Sequence, residues 1–324
     1  MRRHEGPYLK ARNSLGRSGI QVSPLCFGTL TLGPLQAGLP LRDGARLIRH
    51  ALERGINFFD TADLYGTYPY LKAALKGRQE EAVIASKSYD YTREGMEKSL
   101  ARALRETGRD VIDLFLLHEQ ESALTLKGHG AALEYLVKAR EKGLIRAVGV
   151  STHHVAAVWA AGAREEIDVI HPLLNVAGIG IRDGTRDDMV KALESAARRG
   201  IGIYAMKPLG GGHLMGRARE ALHFILGVPF LASTAVGMQE EREVDVNCYY
   251  FSGEEPPPEL EAGLAGRKRR VLVHDWCEGC GRCLEACRAG ALFLQEGRVS
   301  VAEEKCILCG YCGSRCPGFC LKII

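Results

Sequence analysis

No apolar run in this 324-residue chain approaches the ~18 residues a membrane-spanning helix needs, so a helical membrane protein is not expected. An excess of one charge is also missing. The formal net charge of +4 is too mild to point to nucleic acid. The start of the chain, Met1-Arg2-Arg3-His4-Glu5-Gly6-Pro7, carries twin arginines. No apolar stretch follows them, so no signal peptide is expected and the cytoplasm is the expected location. Cysteine is nearly absent before residue 277, where only Cys26 and Cys248 occur; both read as core residues. The other nine of the eleven cysteines crowd into the last 48 positions. In a cytoplasmic chain such crowding calls for a use other than disulfides. Hydrophobic residues at 46% and charged residues at 25% are ordinary for a globular protein, and the length suits one large domain and one small one.

The shift in cysteine use marks a boundary. Just before it stand Pro256-Pro257-Pro258 and a polar stretch ending in Arg267-Lys268-Arg269-Arg270. Proline followed by charge reads as a linker, which divides the chain into residues 1–255, a Pro-rich and basic joint over 256–270, and a module over 271–324. The basic run reads as a solvated joint; a docking patch for an acidic redox partner is the other reading.

Within the last module, Cys277, Cys280, Cys283 and Cys287 have the spacing C-x2-C-x2-C-x3-C, and Cys306, Cys309, Cys312 and Cys316 repeat it 29 residues later, with Pro317 following. The module is an internal duplication. In the same register Cys320 falls on Ala291, so it reads as a spare small residue and not a ninth ligand. Paired C-x2-C knuckles also bind zinc, but two complete four-cysteine sets favour iron–sulfur clusters. Three thiolates on one tight loop can cap three irons of a cubane, and the fourth iron needs a ligand from elsewhere. Residues 271–324 resemble a bacterial two-cluster ferredoxin, in which that ligand comes from the other motif. The resemblance implies two [4Fe–4S] clusters, one on Cys277, Cys280, Cys283 and Cys316, the other on Cys306, Cys309, Cys312 and Cys287. Arg288 stands where the family usually has proline.

From about residue 20 to 250, short apolar runs alternate with segments of helical period. The runs are Leu25–Gly28, Ile56–Asp60, Ala82–Ser86, Val111–Leu117, Ile145–Ser151, Ile167–His171, Ile201–Met206 and Ser233–Gly237. Fully apolar strands between helices imply a parallel sheet covered on both faces. Eight repeats in about 250 residues match a (β/α)8 barrel. The open doubly wound sheet is the runner-up, and the G-x-G-x-x-G that would support it is missing after the first strand. The expected fold class is therefore α/β, a (β/α)8 TIM barrel followed by a small α+β ferredoxin-like domain.

Barrel active sites lie at the C-terminal ends of the strands. There stand Asp60, Lys87 and His118, with Tyr65 five residues beyond Asp60. A lysine closing an apolar strand needs a partner; the other three each have bland readings as a cap, a loop residue and a rim residue. The segments "INFFDTADLYG" (Ile56–Gly66), "ASK" (Ala85–Lys87), "LLH" (Leu116–His118) and "GLIRAVGVST" (Gly143–Thr152) resemble the aldo/keto reductases over roughly residues 15–250. The resemblance implies that Tyr65 is the general acid and base at a carbonyl or alcohol, that Lys87 lowers its pKa, that Asp60 holds Lys87, and that His118 orients the substrate. A free tyrosine titrates near ~10, so a neighbouring ammonium would make it a better proton shuttle.

The same resemblance implies an NAD(P)(H) site. Ser151 matches the nicotinamide end, Thr152 replaces a common asparagine, and Asn175 falls at the pocket edge. Lys207-Pro208-Leu209-Gly210-Gly211-Gly212 resembles the loop passing the pyrophosphate, where glycines let backbone N–H groups approach an anion. At the adenosine end Gly237 and Met238 replace the usual lysine–serine pair. Glu243 takes the arginine position with Arg242 beside it, and Asn247 matches an adenine contact. Carboxylates there repel a 2′-phosphate, so the choice between NAD and NADP stays open. A nicotinamide moves electrons in pairs and a cluster singly, which leaves room for a flavin to bridge them. The expected activity is oxidoreduction of a small carbonyl or alcohol coupled to the clusters, with a redox protein as a further partner. Clusters that are merely structural, or a non-catalytic nucleotide and redox sensor, are the alternatives.

Overall fold

The computed structural model describes residues 7–265 and 269–324. Met1 to Gly6 with their twin arginines, and Arg267 and Lys268 of the basic run, lie outside the described residues. Eight parallel strands close into a barrel: β1 (Leu25–Gly28), β2 (Phe58–Asp60), β3 (Val83–Ser88), β4 (Ile112–Leu117), β5 (Ile145–Thr152), β6 (Val169–Pro172), β7 (Gly202–Met206) and β8 (Ser233–Gly237). β8 pairs back onto β1, Thr234 opposite Leu25. Each strand lies within two residues of the run read from the sequence.

The barrel forms because alternate residues of each strand have different apolar surroundings. Cys26, Phe58, Ala85, Leu114, Leu116, Ala147, Val169 and Tyr204 fill the interior. Their neighbours Phe59, Ile84, Phe115, Val148 and Ile170 pack under the surrounding helices. A hairpin of Asn13–Ser14 and Gln21–Val22 contributes Leu15, Ile20 and Val22 to the interior cluster. Three helix starts carry side-chain caps. Thr92 accepts from the Gly95 N–H, and Ser122 and Thr185 form capping boxes, satisfying first-turn donors that otherwise lack partners. Cys26 and Cys248 are fully buried, as expected of core residues.

The segment 256–270 contains more than a linker. Pro258–Ala265 is a helix, with proline at its first position, where the missing N–H costs nothing, and Glu259 and Glu261 in the first turn facing the positive helix end. It is held to the barrel by Arg242 donating to the Gly263 carbonyl at 3.0 Å, Tyr250 donating to Glu261 and Arg219 pairing with Glu261 at 3.2 Å.

The last module contains β9 (Val271–Val273) antiparallel to β12 (Leu321–Ile323), and a hairpin of β10 (Leu292–Gln295) and β11 (Arg298–Val301). The duplication is visible in the backbone. Gly279, Gly281 and Gly290 have positive φ, and so do Leu308, Gly310 and Phe319, each 29 residues on. The Ala291 N–H reaches Cys287 Sγ at 3.3 Å, and the Cys320 N–H reaches Cys316 Sγ at 3.2 Å. Cys320 thus occupies the place of Ala291. The module rests on the barrel mouth. Phe319 packs with Leu173, Ile179, Met206 and Leu214, and His213 Nε2 bonds the Leu321 carbonyl at 2.8 Å.

Candidate active site at the barrel mouth

The period of two that places Phe58 and Ala85 inside the barrel also turns Asp60 and Lys87 inward one step nearer the mouth. Lys87 Nζ lies 2.8 and 2.9 Å from the two Asp60 oxygens and 2.7 Å from the Thr61 carbonyl. Lys87 is fully buried and Asp60 nearly so. Such a charge persists only with a partner, and Asp60 supplies it. The same inward phase brings two residues not anticipated from the sequence. Tyr204 donates to Asp60 Oδ2 at 3.0 Å, and His171 stacks on the Tyr204 ring with centroids 3.9 Å apart. Tyr65 closes a 3-10 turn, Asp63–Tyr65, that Gly66 ends at φ +66. Its ring lies 4.9 Å from Lys87 Nζ and 5.9 Å from the His118 ring. Tyr89 stacks on the His118 ring at 4.2 Å. Asp60, Tyr65, Lys87 and His118 are therefore brought together.

Their electrostatics differ from the expectation in one respect. Burial, then the charge of Asp60, then Glu119, hold the Tyr65 hydroxyl well above the usual tyrosine range. The net direction is opposite to the lowering that the resemblance implied for Tyr65. Tyr65 is therefore a protonated acid at neutral pH. Burial, then Lys87 and Lys207, hold His118 well below the usual histidine range, so its ring is neutral. His118 Nδ1 has no hydrogen-bond partner among the described residues.

These groups line a cavity of about 1100 Å³ that runs from Tyr65, His118 and His171 to Gly237, Glu243 and Asn247. One wall is the ferredoxin module. His274, Asp275 and Trp276, just before Cys277, and Gly318, Phe319, Lys322 and Ile323, just after Cys316, face the same space. Neither Phe319 nor Lys322 was anticipated. The register of the repeat carried a signal, since Phe319 stands where the first half has Gly290.

The residues expected to hold a dinucleotide fare unequally. Ser151 Oγ accepts from the Glu119 N–H at 2.8 Å, and Thr152 Oγ1 donates to the Gln120 carbonyl at 2.6 Å. Asn175 bonds both ways to Ile179. All three are fully buried and none lines the cavity, so they do not fit a nicotinamide carboxamide. In the loop after β7, Gly210 faces Leu214 and Ile179, and a Cβ at Gly211 would meet Lys322 and Phe319. A Cβ at Gly212 would overlap the Ile323 carbonyl oxygen. These glycines admit the ferredoxin C-terminus, where a phosphate was expected. Gly237 is required by Thr31, which a Cβ there would strike. The adenosine end fits better. Gln239 and Asn247 line it, and the Glu243 carboxylate meets Arg269 at 3.4 Å. Arg242 is turned to the Gly263 carbonyl instead, so the cation at this end comes from the joint between the modules.

The eight clustered cysteines form two groups. Burial, then Cys316, Cys277 and Cys280, push the Cys283 thiol up to about 11, which sets Cys316 of the second motif beside the first. A small second cavity is lined by Cys287 together with Cys306, Cys309 and Cys312. Bound cations would reverse the thiol repulsion and hold thiolates. Apolar cover comes from Val271, Leu292, Val299, Leu321 and Ile323. The donor set fits two clusters.

A model of the aldo/keto reductase family matches residues 24–240, and a 4Fe-4S dicluster domain model matches residues 270–317. L-galactose dehydrogenase of Arabidopsis thaliana is 26% identical over 213 residues, 62% of this chain and 66% of that protein. The chain thus spans just under two thirds of the length of that relative. The 6-dehydroglucose reductase of Novosphingobium aromaticivorans is 29% identical over 229 residues, 64% of this chain and 72% of that protein. Among solved structures, one assigned as an aldo-keto reductase from Pseudomonas aeruginosa gives a TM-score of 0.67 at 26% identity, covering 76% of this chain and 97% of that one.

Proposed function

This chain belongs to the aldo/keto reductase family and carries iron–sulfur clusters in a 4Fe-4S dicluster domain, and on that premise we propose that it interconverts a small carbonyl compound and its alcohol at Tyr65, with electrons exchanged between the cavity and the clusters. The observation that carries the reading is the shared wall. The segments flanking Cys277 and Cys316 line the cavity that holds Tyr65 and His118, so the cluster assigned to Cys277, Cys280, Cys283 and Cys316 is the one beside the reacting substrate.

In the reducing direction the carbonyl takes up two electrons and two protons, one proton on carbon with the electron pair and one on oxygen. Tyr65 Oη gives the oxygen its proton, in keeping with a hydroxyl held protonated by burial and by Asp60. Neutral His118 offers a ring N–H to the same oxygen and fixes its direction. Asp60, bound to both Lys87 and Tyr204, keeps the charge behind Tyr65 in place. Such proton transfer by a positioned side chain is worth about 10²–10⁴-fold. A bound NAD(P)(H) would supply the electron pair as hydride and a flavin would join pairs to single electrons; the adenosine end suits a nucleotide, while Ser151, Thr152 and Asn175 do not suit a carboxamide, so no step is drawn through either. Ile307 and Tyr311, on either side of Cys309 in the sequence, stand exposed, which supports electron entry from a redox partner protein there.

The test is Tyr65→Phe in cluster-loaded protein. Turnover of carbonyl substrates should fall by about 10²–10⁴-fold while chemical reduction of the clusters is unchanged. Retention of full output by the variant would favour a sensor and sink the catalytic reading.

A further inference from the structure

Two lysines in the cavity lack the partner that buried ammonium groups ordinarily have. Lys207 follows β7 at φ +57; its Nζ lies 2.7 Å from His153 Nε2 and 5.0 Å from the centre of the Phe319 ring. Lys322, on β12 of the ferredoxin module, is 7% exposed. Its Nζ lies 2.6 Å from the Phe319 carbonyl and 2.9 Å from the centre of the same ring. Among the described residues neither has a carboxylate within ion-pair reach. Arg182 adds a third cation to the lining. Glu119 lines the same cavity, 3.6 Å from His153 Nε2 and with its side chain 41% exposed. Burial, then Lys207, push Lys322 well below the usual lysine range, and burial brings Lys207 down to about 8, so an arriving anion stabilises the charged form of both.

The platform between the lysines is held against backbone preference. Phe319 has φ +49, a region that L side chains rarely adopt, while Gly290 fills the equivalent position of the first repeat at φ +60. A glycine would suit the turn and would leave both lysines without their shared surface. The same C-terminal segment lies against Gly211 and Gly212, where an added Cβ would meet Lys322, Phe319 and the Ile323 carbonyl.

We propose that Lys207 and Lys322 together bind the carboxylate of the substrate, so that the compound turned over at Tyr65 is an oxo or hydroxy acid and the ferredoxin module supplies half of its anion grip. The proposal rests on the reading of Tyr65 given above. It makes the site incomplete without the ferredoxin module.

The test is calorimetric titration of the anaerobic, cluster-loaded protein with pyruvate, the smallest oxo acid, and with its neutral isostere pyruvamide. The wild type should bind pyruvate the more tightly. Lys207→Met and Lys322→Met should each weaken pyruvate by roughly ten- to a hundredfold, the range of a charge-assisted hydrogen bond, and leave pyruvamide unchanged. Lys322→Arg, which keeps the charge, should restore much of the affinity and checks that the fold survives. Equal binding of pyruvate and pyruvamide by the wild type would overturn the proposal. So would variants that lose affinity for ADP-ribose and not for pyruvate, since the anion would then be a nucleotide phosphate. Tyr65→Phe should still bind pyruvate, so failure of the catalytic reading and failure of the anion site give different results.

Discussion

Gly212→Ala separates the docking of the ferredoxin module from the folding of the barrel. Two costs arise from one methyl group. At φ +90 an alanine bears about 1–2 kcal/mol of left-handed strain wherever the module lies. In addition, its Cβ would overlap the Ile323 carbonyl oxygen, and two backbone segments cannot yield as a side chain can. Relief requires β12 to lift off the loop. Phe319 at 3% and Leu321 at 1% exposure would then lose cover, each worth about 1.5–3 kcal/mol when fully buried. The combined strain is comparable to the stability of a small domain, so the module should loosen while the barrel stays folded. Hydrogen exchange reads this directly. Amides of Leu321 to Ile324 should lose protection by an order of magnitude or more, and those of β4 and β5 should not change. Gly216→Ala is the control, because a Cβ there meets nothing within 4 Å. Equal exchange in the two variants would refute the docking and with it the shared cavity.

Asp60→Asn should destabilise the barrel by about 3–5 kcal/mol, the usual consequence of stranding a buried charge, read as a lower urea midpoint by circular dichroism. Adding Lys87→Met should recover most of it; a neutral single variant would show that the pair carries no stability. His171 is held to about 4 by burial, below its usual ~6.5, so the unfolded chain takes up a proton first as pH falls. Its contribution is complete above pH ~6.5 and is lost through pH ~4, about 3 kcal/mol over that window. His171→Gln should flatten the fall in urea midpoint between those limits, and an unchanged slope would assign it elsewhere. Loaded protein should contain about eight iron atoms per chain, and Cys316→Ala should perturb the electron paramagnetic resonance signal of one cluster while sparing the other.

The barrel was legible because its strands are buried on both faces and so read as apolar runs bounded by turns. β1 and β8 have the very limits expected. Asp60, Lys87 and His118 were legible because each ends such a run with a polar residue. Tyr204 obeys the same inward phase but stands within an apolar strand and reads as core, while His171 ends the run Ile167–His171 as Asp60 ends its own and carried a signal that was passed over. Ser151, Thr152 and Asn175 sit at matching positions, yet their hydrogen bonds go to neighbouring loops, which local spacing does not reveal. The glycine loop was legible as a place of close approach and not as to what approaches it. That depends on a contact between Gly212 and Ile323, which no local pattern spans. The helix Pro258–Ala265 was hidden by the run Pro256-Pro257-Pro258 at its start, although Pro258 is a favourable first residue for it. Phe319 and Lys322 were the costliest omissions, because their role exists only once the module is seated on the barrel.

The central claim is that clusters and cavity exchange electrons, and the visible absorbance of the oxidised, cluster-loaded protein under strict anaerobiosis tests it most directly. The alcohol form of a substrate turned over at Tyr65 should bleach the clusters in the wild type, and Gly212→Ala should slow that bleaching. Clusters that never bleach while carbonyl reduction proceeds at a normal rate would contradict the account.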